Sequence, residues 1–479
     1  MVRDFAWGSS RKFVWDAMPT MVEGKKVMCM SAYGKEAYGL YRKFSTKVVA
    51  HTIKTYSKFT IPYPYPVAQS LEAANGMEYP MICFNFGRTE KDASGNYSAN
   101  STYSEGTKNG MIGVVIHEVG HNFFPMIINS DERQWTWMDE GLNSFCEYLA
   151  EELWDNKFPV GKGPAYKIVD YMKLPKDVLE PIMTNSENII QFGPNAYSKP
   201  STGLNILRET IMGRENFDYA FKEYARRWAF KHPTPADLFR TMEDASAEDL
   251  DWFWRGWFYG TEACDISLDT VKWSVLTTDL PAPTNSSIRK VAVQKPILND
   301  FDDISKIRNR NDKKIVFATD ADPAMRDFYW RYDRGLVQVD TTAFEIPVPA
   351  TTAADYYTEA ERFHIAGSKN LYELTFSNKG GLVMPIIIEW TFKDGTKEIE
   401  RIPVQVWRRN ENKVVKTFMK NKEVVSVLLD PLRETADINT GNNTWPAITT
   451  SSKFQLFKNA GSRPRGAAGN PNAMQKEIK

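Results

Sequence analysis

His117-Glu118-Val119-Gly120-His121 is the stretch on which the reading of this chain turns. Residues four apart on an α-helix stand on one face, so the two imidazoles can reach a single ion. Glu118, adjacent to the first histidine, can approach a metal-held water without itself being a ligand. The preceding Ile112, Val114, Val115 and Ile116 supply the apolar packing that buries such a helix.

A catalytic zinc takes three protein ligands and keeps one position open. The third ligand has to come from another element, as a carboxylate or a histidine. After a turn built on Asn129, Ser130 and Asp131, a second helix is expected over residues 133–154. It carries Glu140 within Trp137-Met138-Asp139-Glu140-Gly141. Two antiparallel helices can bring that carboxylate to the same ion, so His117, His121 and Glu140 are the expected ligands of one Zn2+. Zinc in a His2Glu site brings the pKa of its water to about 7, and Glu118 is placed to take the proton. The alternative is a chance motif on a polar face. The helical context, the apolar flank and the glutamate on a second helix weigh against it.

Ligand histidines usually donate their other N–H to an acceptor. Asp139, Glu147 and Asn122 are candidates for that role, or else they are surface polar residues. His51, His232 and His364 have no comparable surroundings and read as core or exposed side chains.

Outward from the motif, residues 35–60 place Leu40, Phe44, Val48, Val49, Ile53 and Tyr56 at helical spacing, which predicts a long amphipathic helix. The prolines at 62, 64 and 66 end it. Residues 81–86 suit a short strand, 87–108 read as a long polar loop, and a helix is expected over 111–124. From 198 to 260 the pattern stays helical. Thr234-Pro235-Ala236-Asp237 reads as a helix start, and Ser246-Ala247-Glu248-Asp249 as a second. After Gly260 the period changes: Ile266, Leu268, Val271, Trp273 and Val275 suggest strands, and 281–287 looks like a linker. Residues 299–314 are charged and expected to be exposed. From Leu371 the chain is β, with a hairpin turn at Asp394-Gly395 and a further strand over 424–429. The tail over 461–479 is expected to be disordered.

The chain has 479 residues, 42% hydrophobic and 25% charged, with zero formal net charge. That length implies two or three domains of a globular protein, and the balanced charge points to no nucleic-acid partner. No apolar run of 18 residues occurs, so no membrane span is expected. Cys29, Cys83, Cys146 and Cys264 are widely spaced with no CxxC pair, which leaves the compartment open. The opening Met1-Val2-Arg3-Asp4-Phe5-Ala6-Trp7 lacks the apolar core of a signal peptide and reads like a strand inside a domain, as if the chain started partway through a longer protein.

At this point the chain resembles the M1 aminopeptidases within the gluzincin metallopeptidases, whose pattern is H-E-x-x-H, eighteen residues, then a glutamate followed by glycine. Two further stretches are similar to that family. Asn75-Gly76-Met77-Glu78-Tyr79-Pro80 looks like its G-x-M-E-N substrate-binding strand, and Tyr197-Ser198-Lys199 like its Y-x-K. Tyr79 stands where the family has asparagine, and Asn75 where it has the first glycine. The likeness covers about residues 4–260; Leu429-Asp430-Pro431 and Asn442-Asn443 look, less specifically, like a later β-sandwich of such enzymes.

The expected fold is an α+β multidomain protein: the resemblance implies a thermolysin-like, mainly helical zinc-peptidase domain over 1–264 and a β-sandwich-like domain over 346–460, and the pattern between them reads as a strand and linker region of uncertain fold over 265–345. It implies removal of N-terminal residues from peptides with a free N-terminus. Glu78 would bind the α-amine, backbone around Gly76 and Met77 would line the peptide, and Tyr197 would stabilise the oxyanion. The family's N-terminal β domain is expected to be missing, since Asp4 already stands at the start of the catalytic domain. For Tyr197 the bland alternative is a packed tyrosine, and for Glu78 a surface glutamate on a strand edge. A catalytically silent interaction protein on the same fold and a zinc endopeptidase are the rival functions.

Overall fold

The computed structural model describes residues 2–97, 101–276, 289–296, 303–331, 339–346, 350–351 and 369–447. The linker expected at 281–287, His364 and the tail over 461–479 lie outside the described residues.

Val14–Val22 (β1) and Lys25–Tyr33 (β2) form an antiparallel hairpin around Glu23-Gly24. Both turn residues have positive φ, 44° and 82°, as a two-residue hairpin turn with the right twist requires. The helix Tyr38–Phe59 (α1) then carries the chain across to Val67–Glu72 (β3), which lies parallel to β2. Ile82–Asn85 (β5) adds in parallel to β3, and the short Met77–Tyr79 (β4) closes the edge antiparallel to β5. The sheet order is β1-β2-β3-β5-β4, so β4 offers one unpaired edge.

The stripe predicted for α1 is the face that is buried: Leu40, Phe44, Val48, Val49, Ile53 and Tyr56 are all essentially inaccessible. Burying side chains of this size contributes about 1.5–3 kcal/mol each. The expected strand at the N-terminus is not formed. Phe5 and Trp7 are 83% and 75% exposed, and β1 begins only at Val14, where β2 supplies ladder partners.

Against the sheet and α1 pack two further helices, Glu105–Gly120 (α2) and Thr136–Trp154 (α3). The first begins inside the expected loop because Ser104 caps it: its Oγ accepts from the Thr107 N–H at 3.0 Å. It ends at Gly120, so His121 lies at its C-terminal cap rather than in mid-helix.

A helical block follows. Thr234 stands at the start of Pro235–Ser246, as expected, and its backbone N–H donates to Asp237 Oδ2 at 2.8 Å. The second expected helix start is instead the end of that helix. Ala247 turns into the left-handed region at φ 58°, and the Ser246 hydroxyl accepts from the Glu248 N–H. Serine serves either end, and the tertiary path decides which.

Beyond the helical block lie two four-stranded sheets. In one, Lys369–Asn378 pairs antiparallel with both Ile266–Leu276 and Lys413–Lys420; in the other, Ile386–Phe392 sits between Lys397–Ile402 and Val424–Leu429. Gly395, at φ 82°, makes the expected hairpin turn.

Part of the stretch expected to be exposed, 299–314, is docked. Ile304–Asn311 is a helix capped by Asp303, and Ser305, Lys306 and Asn309 are buried. Its charges are paired instead of solvated: Lys306 Nζ lies 2.6 Å from Glu152 Oε1 on α3, and Arg308 meets Glu209. Among the described residues no helix is long and apolar enough to cross a membrane, and all four cysteines are free and buried.

Candidate metal centre

The apolar side of α2, with Met111, Ile112, Val115, Ile116 and Val119 buried, fixes the helix so that its other side faces α3. Gly120 makes the close approach possible. A Cβ there would run into the Tyr56 hydroxyl of α1 and the Asn143 side chain of α3. Those two are joined, Tyr56 O–H donating to Asn143 Oδ1 at 2.8 Å, and Asn143 Nδ2 donates to the His117 carbonyl at 2.9 Å. One small residue thus lets three helices lock together beside the histidines. Sequence reasoning had Tyr56 only as part of the α1 stripe and gave Gly120 and Asn143 no role of their own, because close approach between helices leaves no local signal.

The structure brings His117, His121 and Glu140 together. Nε2 of His117 lies 3.0 Å from Nε2 of His121 and 3.0 Å from Glu140 Oε2, and Nε2 of His121 lies 3.3 Å from the same oxygen. The other ring nitrogens have acceptors. Nδ1 of His117 donates to Glu147 Oε2 at 2.9 Å. Nδ1 of His121 meets the Phe124 carbonyl at 2.8 Å and Asp139 Oδ1 at 2.9 Å. With Nδ1 protonated in each neutral ring, both Nε2 atoms present lone pairs. Two nitrogen lone pairs and a carboxylate oxygen therefore point at one another at about 3 Å. That arrangement is repulsive unless a cation lies among them.

Donors bound tetrahedrally at about 2.0–2.1 Å stand roughly 3.3 Å apart, close to the spacing found, so the residues fit zinc. The electrostatics agree. Burial alone would depress His117, yet Glu147 and Glu140 offset it and push it up to about 9; burial works against His121 too, but Asp139 and Glu140 hold it well above its usual range. Burial would raise Glu140, but His121 and His117 hold it well below the carboxylate range.

Asp139 and Glu147 take the supporting positions expected of them, and Asn122 does not. Its Oδ1 accepts from the Met81 N–H at 2.7 Å and its Nδ2 donates to the Val119 carbonyl. It holds the tight β4–β5 turn, where Met81 has φ 67°, because the helix has already ended and the residue after His121 faces the sheet.

Glu118 is buried on the same side, and its Oε2 has no hydrogen-bond partner among the described residues. Burial pushes its carboxyl up to about 7 against the pull of His117 and His121. Above it runs β4. A Cβ built on Gly76 would collide with the Glu118 carboxylate, which accounts for glycine there. Met77 is largely exposed on this edge strand, and a carboxylate oxygen of Glu78 lies within 4.8 Å of ligand atoms of Glu118 and His121. Tyr197 sits in a π-helical turn, Gly193–Ser198. Its ring lies nearly parallel to that of His117, 5.8 Å between centroids at 27°. Burial and the Glu140 carboxylate beside it raise its phenol well above the ordinary value. Two elements that sequence reasoning did not single out also face the cleft: Lys162, whose Nζ donates to Glu147 Oε2 at 2.8 Å, and Glu151.

His51 is not a ligand: its Nε2 meets the Ala150 carbonyl at 2.8 Å. Nor is His232, whose Nδ1 meets the Asn129 carbonyl near the surface.

Fold and donors together describe a candidate mononuclear H-E-x-x-H metal centre, closed by a glutamate from the next helix. Residues 44–257 match the Peptidase family M1 domain. Over that stretch the chain is similar to peptidase family M1. It is 23% identical over 248 residues to aminopeptidase M1-A of Oryza sativa subsp. japonica, covering 49% of this chain and 27% of that protein. It is 27% identical over 198 residues to endoplasmic reticulum aminopeptidase 1 of Homo sapiens, covering 40% and 20%. The chain thus spans about a quarter of the length of these curated relatives. A crystal structure of Legionella pneumophila aminopeptidase A in complex with aspartic acid superposes with a TM-score of 0.51 at 10% identity, over 89% of this chain and 38% of that one, a likeness of fold.

Proposed function

We propose that this chain is a zinc-dependent aminopeptidase that removes N-terminal residues from peptides. The observation that carries the reading is the meeting of three metal-directed lone pairs, from His117, His121 and Glu140, beside a buried acid, Glu118, whose Oε2 is unpaired among the described residues. A zinc ion held by these three residues supplies the Lewis acidity for water and for the scissile carbonyl.

The chain's own residues do the rest. Glu118 takes the proton of the attacking water and passes it to the leaving amine. The Tyr197 hydroxyl donates a hydrogen bond to the carbonyl oxygen as that oxygen gains charge, a contribution whose loss typically costs about 2.7–4 kcal/mol in the barrier. β4 presents its free edge to the peptide backbone, with Gly76 and Met77 along it. Glu78, at the His121 side of the centre, fixes the free α-amine by a charge-assisted hydrogen bond and so sets cleavage at the first residue.

The test compares zinc content with hydrolysis of aminoacyl and N-acetylated aminoacyl reporters. Zinc-dependent release from the free-amine reporters alone is the expected result. Equal cleavage of blocked reporters assigns an endopeptidase and removes Glu78 from its role. Bound zinc without hydrolysis assigns a silent fold. Glu118→Gln keeps the metal and loses turnover; turnover that survives in that variant dismisses Glu118 as the base.

A further inference from the structure

The polar residues of the centre are arranged along two antiparallel helices. His121 of α2 meets Asp139 of α3, His117 meets Glu147, and one turn further from the metal ligands Gly113 faces Glu151. In that direction the surface opens into a cleft of about 670 Å³ that runs from His117, Glu118 and Tyr197 to Gly113 and Glu151. Glu151 lines this cleft although the residue is only 7% exposed. Among the described residues its carboxylate has no hydrogen bond and no ion pair. A Cβ on Gly113 would stand 3.2 Å from its Oε1, so the glycine is what leaves that oxygen open to the cleft.

The nearby cations are engaged elsewhere. Lys162 donates to Glu147 and lies over the Tyr197 ring, 5.5 Å from its centroid, and Lys306 is paired with Glu152. A buried carboxylate without a partner is costly, and Glu151 is accordingly pushed well above the usual carboxylate range, by burial first and by Glu147 second. A cation arriving from the cleft would relieve that cost.

The direction of the peptide follows from the two ends of the centre. A carboxylate oxygen of Glu78 lies within 4.8 Å of ligand atoms of Glu118 and His121, and neither Glu78 nor His121 lines this cleft. A peptide whose amine is held at Glu78 therefore runs past His117 after its scissile bond, toward Glu151. Resting on the aminopeptidase reading, we propose that Glu151 forms a subsite for a lysine or arginine side chain at the second residue of the substrate. One helical turn separates Glu147 from Glu151, about 6 Å, which matches the reach of such a side chain from a backbone lying beside His117. A charge-assisted hydrogen bond in a site of this burial is strong enough to select.

The test uses the zinc-loaded Glu118→Gln protein, so that peptides bind without being consumed. Calorimetry compares Ala-Lys-Ala with Ala-norleucine-Ala, and wild-type kcat/KM is measured for the same pair. The lysine peptide is expected to bind about tenfold tighter or more. Glu151→Gln in the same background is expected to erase the difference, and Gly113→Ala, which narrows the space in front of the carboxylate, to reduce it. Equal affinities, or a preference that survives Glu151→Gln in folded protein, overturn the proposal. A preference in binding with no wild-type hydrolysis supports the subsite and sinks the aminopeptidase reading; hydrolysis without preference does the reverse.

Discussion

Nδ1 of His117 donates to Oε2 of Glu147 at 2.9 Å, and that oxygen is also 2.8 Å from the ammonium of Lys162. The carboxylate is thus held from behind while it fixes the tautomer and the ring angle of a proposed metal ligand. Its side chain is only 8% exposed, so water cannot take its place.

Glu147→Gln is therefore expected to lower zinc affinity by about 10–100-fold, the usual cost of losing such a partner. Competition against a chelator of known affinity measures it. Unaltered affinity in a folded variant means that the ring is oriented by something else.

Gly76 lies against Glu118 closely enough that any Cβ must displace the carboxylate, with Val114 also within 3.1 Å. Gly76→Ala is expected to reduce kcat by about 100-fold, since displacing a reacting group by about 1 Å has that effect. Zinc content and melting temperature should stay near wild type. A variant that is fully active places the attacking water out of reach of Glu118.

The Lys306–Glu152 pair is almost wholly buried, 1% and 2% exposed, and Lys306 also donates to the Phe158 carbonyl at 3.0 Å. Lys306→Met strands Glu152 without a counter-charge and is expected to destabilise the fold by about 3–5 kcal/mol. A Lys306→Met/Glu152→Leu double variant should recover much of the loss. Urea unfolding of the set checks both statements, and a stable single variant refutes the first.

His51 is packed against Trp154, and burial lowers it to about 4 while its bond to the Ala150 carbonyl works the other way. Its folded pKa lies below the unfolded value near 6.5, so folding favours the neutral ring. The contribution is full above pH 6.5 and is lost as the pH falls from there through 4. Urea midpoints taken between pH 7 and 4 should fall less in His51→Gln than in wild type. Parallel curves would show that His51 takes no part in acid destabilisation.

Much of the centre was legible because its chemistry is local. The two histidines share a helix face by spacing alone, and Glu140 follows on the next amphipathic helix, so the three candidate ligands were nameable without a fold. The α1 stripe and the 386–402 hairpin were legible for the same reason, as periodicity and turn residues act within a few positions. Asn122 was misread because adjacency to His121 says nothing once the helix ends, and its amide serves the β4–β5 turn instead. The charged helix Ile304–Asn311 was misread because its partners, Glu152 and Glu209, lie far away along the chain.

The amino-acid sequence by itself supplied the candidate ligand set, the acid beside it and the family resemblance, since each rests on short-range spacing. Only the tertiary structure decided that Gly76, Gly113 and Gly120 are the places where neighbouring elements come close, that Lys162 supports Glu147, and that Glu151 faces an open cleft. Those relations depend on which helices meet and in what direction. A carboxylate reads the same in sequence whether it faces solvent, a lysine or an empty cleft.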